Sequence, residues 1–254
     1  MIQVLLGSLL AAAVAFAAYR ARSLSAGGAF AAFAIGAIVF GAGGWPAALV
    51  LFAFFVPSTL LSRAGRARKK LLVDVGKQGP RDAWQVLANG GIAALCILAA
   101  PRFGALYAAA FAGAFAAASA DTWGTEIGTL ASGKPRSILS FAPIEPGLSG
   151  GITLCGSLAT IGGACCVALV AWLVHLGPFL PIAAAGIAGA FFDSILGAGA
   201  QALRRCPACG VDCETDPHHC GSPTLLRRGF GWMENDAVNL AATFAGAVVA
   251  GVWR

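Results

Sequence analysis

The chain has 254 residues, 58% of them hydrophobic and 11% charged, with a formal net charge of +6. Charged residues make up roughly a quarter of a soluble domain, so this composition, with a mean hydropathy of +0.79, excludes an ordinary water-soluble protein. It indicates a polytopic membrane protein, in which excess base is a matter of loop placement and not a sign of nucleic-acid binding.

Residues 2–19 form the first apolar run; no basic segment precedes it and Arg20 and Arg22 follow it, so a retained helix is expected and not a signal peptide. Residues 27–43 and 45–61 read as the second and third spans, separated by Gly41-Ala42-Gly43-Gly44. The most basic stretch follows, with Arg63, Arg66, Arg68, Lys69, Lys70, Lys77 and Arg81 against Asp74 and Asp82. Further spans are expected at 83–100, 103–120, 148–176, 179–203 and 237–253. At ~1.5 Å per helical residue each can cross a core of ~30 Å, given some tilt. The expected fold is therefore all-α, one transmembrane bundle of about eight helices over residues 1–254, with a short Cys/His-containing loop at 203–233.

With eight spans, 15 of the 17 basic residues fall on one face. The positive-inside rule makes that face cytoplasmic and puts both termini outside, as for a multi-pass protein of a cell inner membrane. Tyr19, Trp45, Trp84, Tyr107, Trp123, Trp172, Trp232 and Trp253 fall near span ends, as an interfacial aromatic belt would.

Carboxylates number only 11, and several lie in or beside apolar runs. An acid within a span is costly, ~2.5–3.5 kcal/mol at a helix centre on insertion scales, and faces a bundle interior or a wet cavity. Asp121 and Glu126 close the fifth span in Asp121-Thr122-Trp123-Gly124-Thr125-Glu126, where Gly124 and Gly128 permit unwinding that would bring both acids to one centre. Asp193 precedes Arg204 by 11 residues, ~16 Å along an unbroken helix, and belongs to a stripe of Gly186, Gly189, Gly197 and Gln201. Glu234, Asn235, Asp236 and Asn239 open the last helix, as caps or as oxygen ligands directed into a cavity. The Gly-rich run 147–151, including Gly150 and Gly151, can offer backbone N–H groups to a phosphate, with Lys134 and Arg136 upstream of it.

Cys206 and Cys209 form a CxxC knuckle, followed by Cys213, His218, His219 and Cys220. A structural Zn²⁺ site of Cys206, Cys209, His219 and Cys220 is expected, pinning the loop, with Cys213 as a spare.

The motifs Ala120–Gly128, Gly150-Gly151-Ile152-Thr153, Asp193–Ala198 and Glu234–Asn239 together resemble the multi-pass membrane family that includes chloroplast phytyl-phosphate kinase. The resemblance implies phosphorylation of an isoprenyl or polyprenyl monophosphate to the diphosphate, with a nucleoside triphosphate as co-substrate. Such chemistry rests on Mg²⁺ and positioning. Asp121, Glu126, Asp193 and Asp236 would hold the Mg²⁺; Thr122, Thr125, Asn235, Asn239, Gly150 and Gly151 would contact phosphates, and Lys134 and Arg136 would offset charge. The rival readings are a carrier or flippase for an anionic lipid or small solute, and a lipid-phosphate nucleotidyltransferase.

Overall fold

The computed structural model describes residues 2–64, 79–131 and 133–253; Arg66, Arg68, Lys69, Lys70, Asp74 and Lys77 lie outside the described residues. The described residues form seven helices: α1 Ile2–Arg20, α2 Ala26–Ala64, α3 Ala83–Phe103, α4 Ala105–Leu130, α5 Leu154–Leu173, α6 Phe179–Gly199 and α7 Asn235–Val252. Six of them, all except α4, are long and apolar enough to cross a membrane.

The second and third expected spans both lie within α2. Gly44 interrupts it with φ 62° and ψ −155°, a left-handed conformation that a side chain would strain, and Pro46 follows where a missing N–H costs little. The chain doubles back there. Near its far end Arg63 donates from Nε to Ser23 Oγ at 3.0 Å and from Nη2 to the Ala21 carbonyl at 3.2 Å, beside the point where α2 began. At the turn, Gln3 Nε2 donates to the Phe40 carbonyl at 3.2 Å. The element therefore makes two antiparallel passes, and the chain makes about eight in all.

At the centre is α4, which packs against α2, α3, α5, α6 and α7. Every residue from 109 to 120 is buried, on all sides of the helix. In lipid no hydrophobic force draws apolar helices together, so close backbone approach through small residues does the work. The Ala-rich surface of α4 meets glycines on three neighbours. A Cβ on Gly246 of α7 would stand 2.7 Å from the Gly113 carbonyl oxygen, one on Gly163 of α5 2.7 Å from that of Ser119, and one on Gly186 of α6 2.8 Å from Ala116 Cβ. The periphery is the reverse, with Phe30, Leu154 and Leu180 all more than 70% exposed, as a lipid-facing surface requires.

Two short antiparallel pieces complete the fold at the end where the basic loops gather. Strands β1 (Arg136–Ser137) and β2 (Gly151–Ile152) pair before α5. Strands β3 (Leu203–Arg205), β4 (Asp212–Cys213) and β5 (Leu225–Arg228) form a sheet of order β4-β3-β5 within the Cys/His loop.

Several expected boundaries move, among them the end of the fifth span, which runs on from 120 to Leu130. The sixth span starts at Leu154 and not at 148: Thr153 caps it, its Oγ1 accepting the Gly156 N–H at 3.0 Å, and the Gly-rich run lies before it. Helix α6 stops at Gly199 and not at 203, so Asp193 is about 9 Å from its end. The Trp123 ring turns inward, packing on Gly162 and Gly163 of α5, and its indole nitrogen is buried.

Replacing Gly246 by Leu should cost roughly 1–3 kcal/mol or more through overpacking, read as a lowered thermal midpoint of detergent-solubilised protein. Leu158→Ala on the lipid face should leave that midpoint nearly unchanged.

Candidate functional site

Helix α4 stays helical through Leu130 and does not unwind at Asp121–Gly128. Gly124 and Gly128 serve packing instead: a Cβ on Gly124 would collide with Thr160 Oγ1, and one on Gly128 would lie 3.2 Å from Thr153 Oγ1, both on or capping α5. At about 100° per residue, Asp121 and Glu126 then point about 140° apart, and their surroundings differ accordingly.

Glu126, only 6% exposed, faces the end of α2 and the start of α3. Its Oε1 accepts from Ser62 Oγ at 2.8 Å, and Ser62 Oγ accepts from Arg81 Nη2 at 3.0 Å. Arg81 is fixed through its backbone: its N–H donates to the Ser23 carbonyl at 3.0 Å, and its carbonyl accepts from Ser25 N–H at 3.0 Å. Burial lowers the Arg81 guanidinium from its ordinary value, and the Glu126 charge opposes that. Arg81, Gln85 and Asn89 form the polar margin of a partly open, otherwise apolar cavity lined by Phe52, Phe55 and Phe115 among others.

Asp121 faces α6 and lies close enough to Asp193 for their charges to interact, as does Glu214 from the Cys/His loop. Asp193 Oδ2 is buried with no hydrogen-bond partner among the described residues. Helix α7 packs on both α4 and α6, and Asp236 Oδ1 in its first turn is buried. The capping alternative for this segment is not realised through Glu234, which occupies the N-cap position without a side-chain cap bond. Asn239 is half-buried and Asn235 exposed. Thr122 bonds its own helix, Oγ1 donating to the Ala118 carbonyl at 2.8 Å, and Thr125 is exposed.

The Gly-rich run behaves differently from a phosphate loop. Ser149 N–H donates to Glu214 Oε1 at 2.7 Å and Ser149 Oγ to Glu214 Oε2 at 2.9 Å. A carboxylate of the protein thus takes the backbone donor at its centre. Gly150 is pressed against Ala198 on the last turn of α6, with φ 81°, and Gly151 is in β2. Lys134 and Arg136 line a separate, open hollow with Phe141, Thr153 and Ser157, and its lining includes neither Asp121 nor Asp193.

Glu214 had no signal in a linear reading beyond being an acid embedded among thiols. Burial pushes its carboxyl above the ordinary carboxylate range, against the pull of the Ser149 hydrogen bonds and the Arg228 charge.

In the loop, Cys206, Cys209, His218 and Cys220 bring four ligand atoms within 4.8 Å of one another, and among the described residues no other such group of His, Cys, Asp and Glu occurs. His218, 1% exposed, takes the place expected for His219, which points outward. The reason is local: the His218 N–H bonds the Ser222 carbonyl at 3.0 Å and the Gly221 N–H bonds the His218 carbonyl at 2.8 Å, a turn that folds His218 inward beside Cys220. His218 Nδ1 lies 3.1 Å from Cys220 Sγ and 3.6 Å from Cys209 Sγ, and the Cys206 and Cys220 sulfurs are 3.6 Å apart. Tetrahedral ligands at zinc-like bond lengths of ~2.0–2.3 Å would be separated by about 3.4–3.8 Å, so the cluster suits a metal. The Cys220 thiol beside it, first among several causes, pushes Cys209 up to about 11. Cys213 is buried outside the cluster, its Sγ 3.8 Å from the Thr215 carbonyl.

The bundle and its exposed apolar girdle define a polytopic integral membrane protein. A model of the integral membrane protein family DUF92 matches residues 9–247, and the chain belongs to that family. Similar proteins include Protein PGR of Arabidopsis thaliana, 30% identical over 218 residues, covering 74% of this chain and 75% of that protein. An uncharacterised membrane protein of Methanocaldococcus jannaschii is 32% identical over 204 residues, 79% of this chain and 73% of its own. One from Synechocystis is 24% identical over 227 residues, 86% of this chain and 78% of its own. No solved structure matches.

Elemental analysis of purified protein should find one transition-metal ion per chain, kept in His219→Ala and lost in His218→Ala.

Proposed function

We propose that this protein is a membrane kinase that converts an isoprenyl or polyprenyl monophosphate to the diphosphate with a nucleoside triphosphate and Mg²⁺. The observation that carries the reading is that Asp121 and Asp193, 72 positions apart in the chain, lie close enough for their charges to interact, with Glu214 also near Asp193, while Asp193 Oδ2 is buried with no hydrogen-bond partner among the described residues. An orphaned buried carboxylate oxygen beside a second acid suits a cation, and Mg²⁺ takes one or two carboxylates with phosphate and water completing its shell. Asp121 and Asp193 would hold it, with Asp236 and Asn239 entering from α7. When bound, Mg²⁺ offsets the negative charge of the triphosphate during transfer.

The substrate side rests on the second face of α4. An apolar cavity with a cation and two amides at its margin suits an amphiphile with a long hydrocarbon chain and an anionic head. Arg81, oriented through Ser62 and Glu126, is aimed to take that head. Glu126 and Asp121 are five residues apart, about 7.5 Å along the axis, so one rigid helix sets the lipid phosphate beside the acids. The attacking group is a phosphate oxygen, already ionised near neutrality, so the reading needs no general base. On this reading the basic face is cytoplasmic, where nucleotide is available, and zinc occupies the Cys/His cluster. Family membership and the resemblance to phytyl-phosphate kinases point the same way.

Purified protein incubated with isoprenyl monophosphate, Mg²⁺ and nucleoside triphosphate should yield the isoprenyl diphosphate, and Asp193→Asn should lower kcat by about 100-fold or more. Release of pyrophosphate would establish a nucleotidyltransferase instead. Absence of turnover together with vectorial lipid movement in liposomes would establish a carrier.

A further inference from the structure

Glu214 is held by three hydrogen bonds that come from two other segments. Its Oε1 accepts the Ser149 N–H, and its Oε2 accepts both the Ser149 hydroxyl and the Gln201 amide, the last at 3.0 Å. Gln201 Nε2 also donates to Ser149 Oγ at 2.9 Å, which closes the ring, and Gln201 is only 3% exposed. The Gly-rich run, the exit of α6 and the Cys/His loop are thereby clasped together, with Glu214 near enough to Asp193 for their charges to interact.

The loop has its own anchors on either side of Glu214. Upstream, Cys213 in β4 pairs with Arg204 in β3, directly after α6. Downstream, His218 is drawn into the cluster with Cys206, Cys209 and Cys220. The segment 214–217 is a bridge between a strand and a metal ligand, so a filled cluster shortens the range over which Glu214 can move. Nothing else in the chemistry of the acid pocket requires a Cys/His loop, and this connection supplies a reason for one.

We propose that Glu214 is a positioning residue through which the metal-bound Cys/His loop sets how tightly the acid pocket takes a divalent cation. The inference rests on the divalent-cation site placed at Asp121 and Asp193. The carboxylate adds negative charge next to Asp193 without leaving its clasp on Ser149 and Gln201. Loss of that charge, or of the clasp, weakens attraction for the cation while the helices stay packed, because the ring lies at the loop end of α6 and outside the α4 interface.

The test uses the full chain in detergent, with Mn²⁺ as probe and its binding followed by electron paramagnetic resonance, so that no assumption about turnover enters. Glu214→Gln should keep the Cys/His metal content and the thermal midpoint while raising the Mn²⁺ midpoint on the order of tenfold, the effect of one nearby charge at protein-like permittivity. Ser149→Ala, which loosens the clasp and leaves every charge in place, should move it the same way by less. Cys209→Ser should lose the loop metal and shift Mn²⁺ binding as Glu214→Gln does. If Asp193→Asn abolishes Mn²⁺ binding while Glu214→Gln, Ser149→Ala and Cys209→Ser all match the parent protein, the positioning role is wrong and the pocket stands. If Mn²⁺ binding is indifferent to Asp193→Asn as well, the pocket falls and this role falls with it; a kinase assay that fails while Asp193-dependent Mn²⁺ binding persists would remove only the proposed reaction.

Discussion

Everything in this structure depends on how closely other helices can approach α4. A helix buried on every side in a membrane protein gains nothing from hiding its apolar groups, since lipid would accept them equally well. What it gains is dispersion contact at short range, and Ala and Gly are the residues that permit it. The glycines of α5, α6 and α7 that meet α4 each lack the one carbon that would hold the backbones apart. Because the fit is tight over residues 109–120, the register of the three neighbours is set, and so is the height at which their polar groups meet the last turns of α4.

Those last turns use two faces for two purposes. One presents Glu126 to Ser62 and Arg81, next to a cavity lined by apolar side chains. The other presents Asp121 to Asp193. Had the helix unwound at Gly124, the two acids would have shared one centre; by remaining helical it keeps them apart at fixed distance. On the proposed function, a single stiff element then relates the amphiphile to the cation, which suits a reaction whose catalysis is chiefly positioning.

The loops at this end are fastened to one another as well as to the helices. Ser23 and Ser25 hold Arg81, Arg63 reaches back to Ala21 and Ser23, and Glu214 joins the Gly-rich run to the exit of α6. The Gly-rich run illustrates a general point about backbone donors: an exposed N–H recognises an anion of any origin, and here a glutamate of the same chain takes that of Ser149.

Much of the architecture was legible in the linear sequence. Apolar length and composition report a membrane environment directly, so the spans came out nearly where they lie, including the reversal at Gly44 inside a helix that appears continuous. The Cys/His cluster was legible too, because ligand spacing along a chain is a local property. What the sequence left open depended on contacts between distant segments. Which of two adjacent histidines turns inward follows from a hydrogen-bonded turn around Gly221 and Ser222. Whether Gly124 unwinds or packs follows from Thr160 on another helix. Glu214 comes near Asp193 because the Gly-rich run and the exit of α6 both meet it, through Ser149 and Gln201. Composition and period determine which residues lie in lipid and which form helices, since those depend on each residue and its near neighbours; which carboxylates meet, and which partner each one finds, is decided by helix packing, where a missing Cβ on one helix fixes the position of an acid on the next.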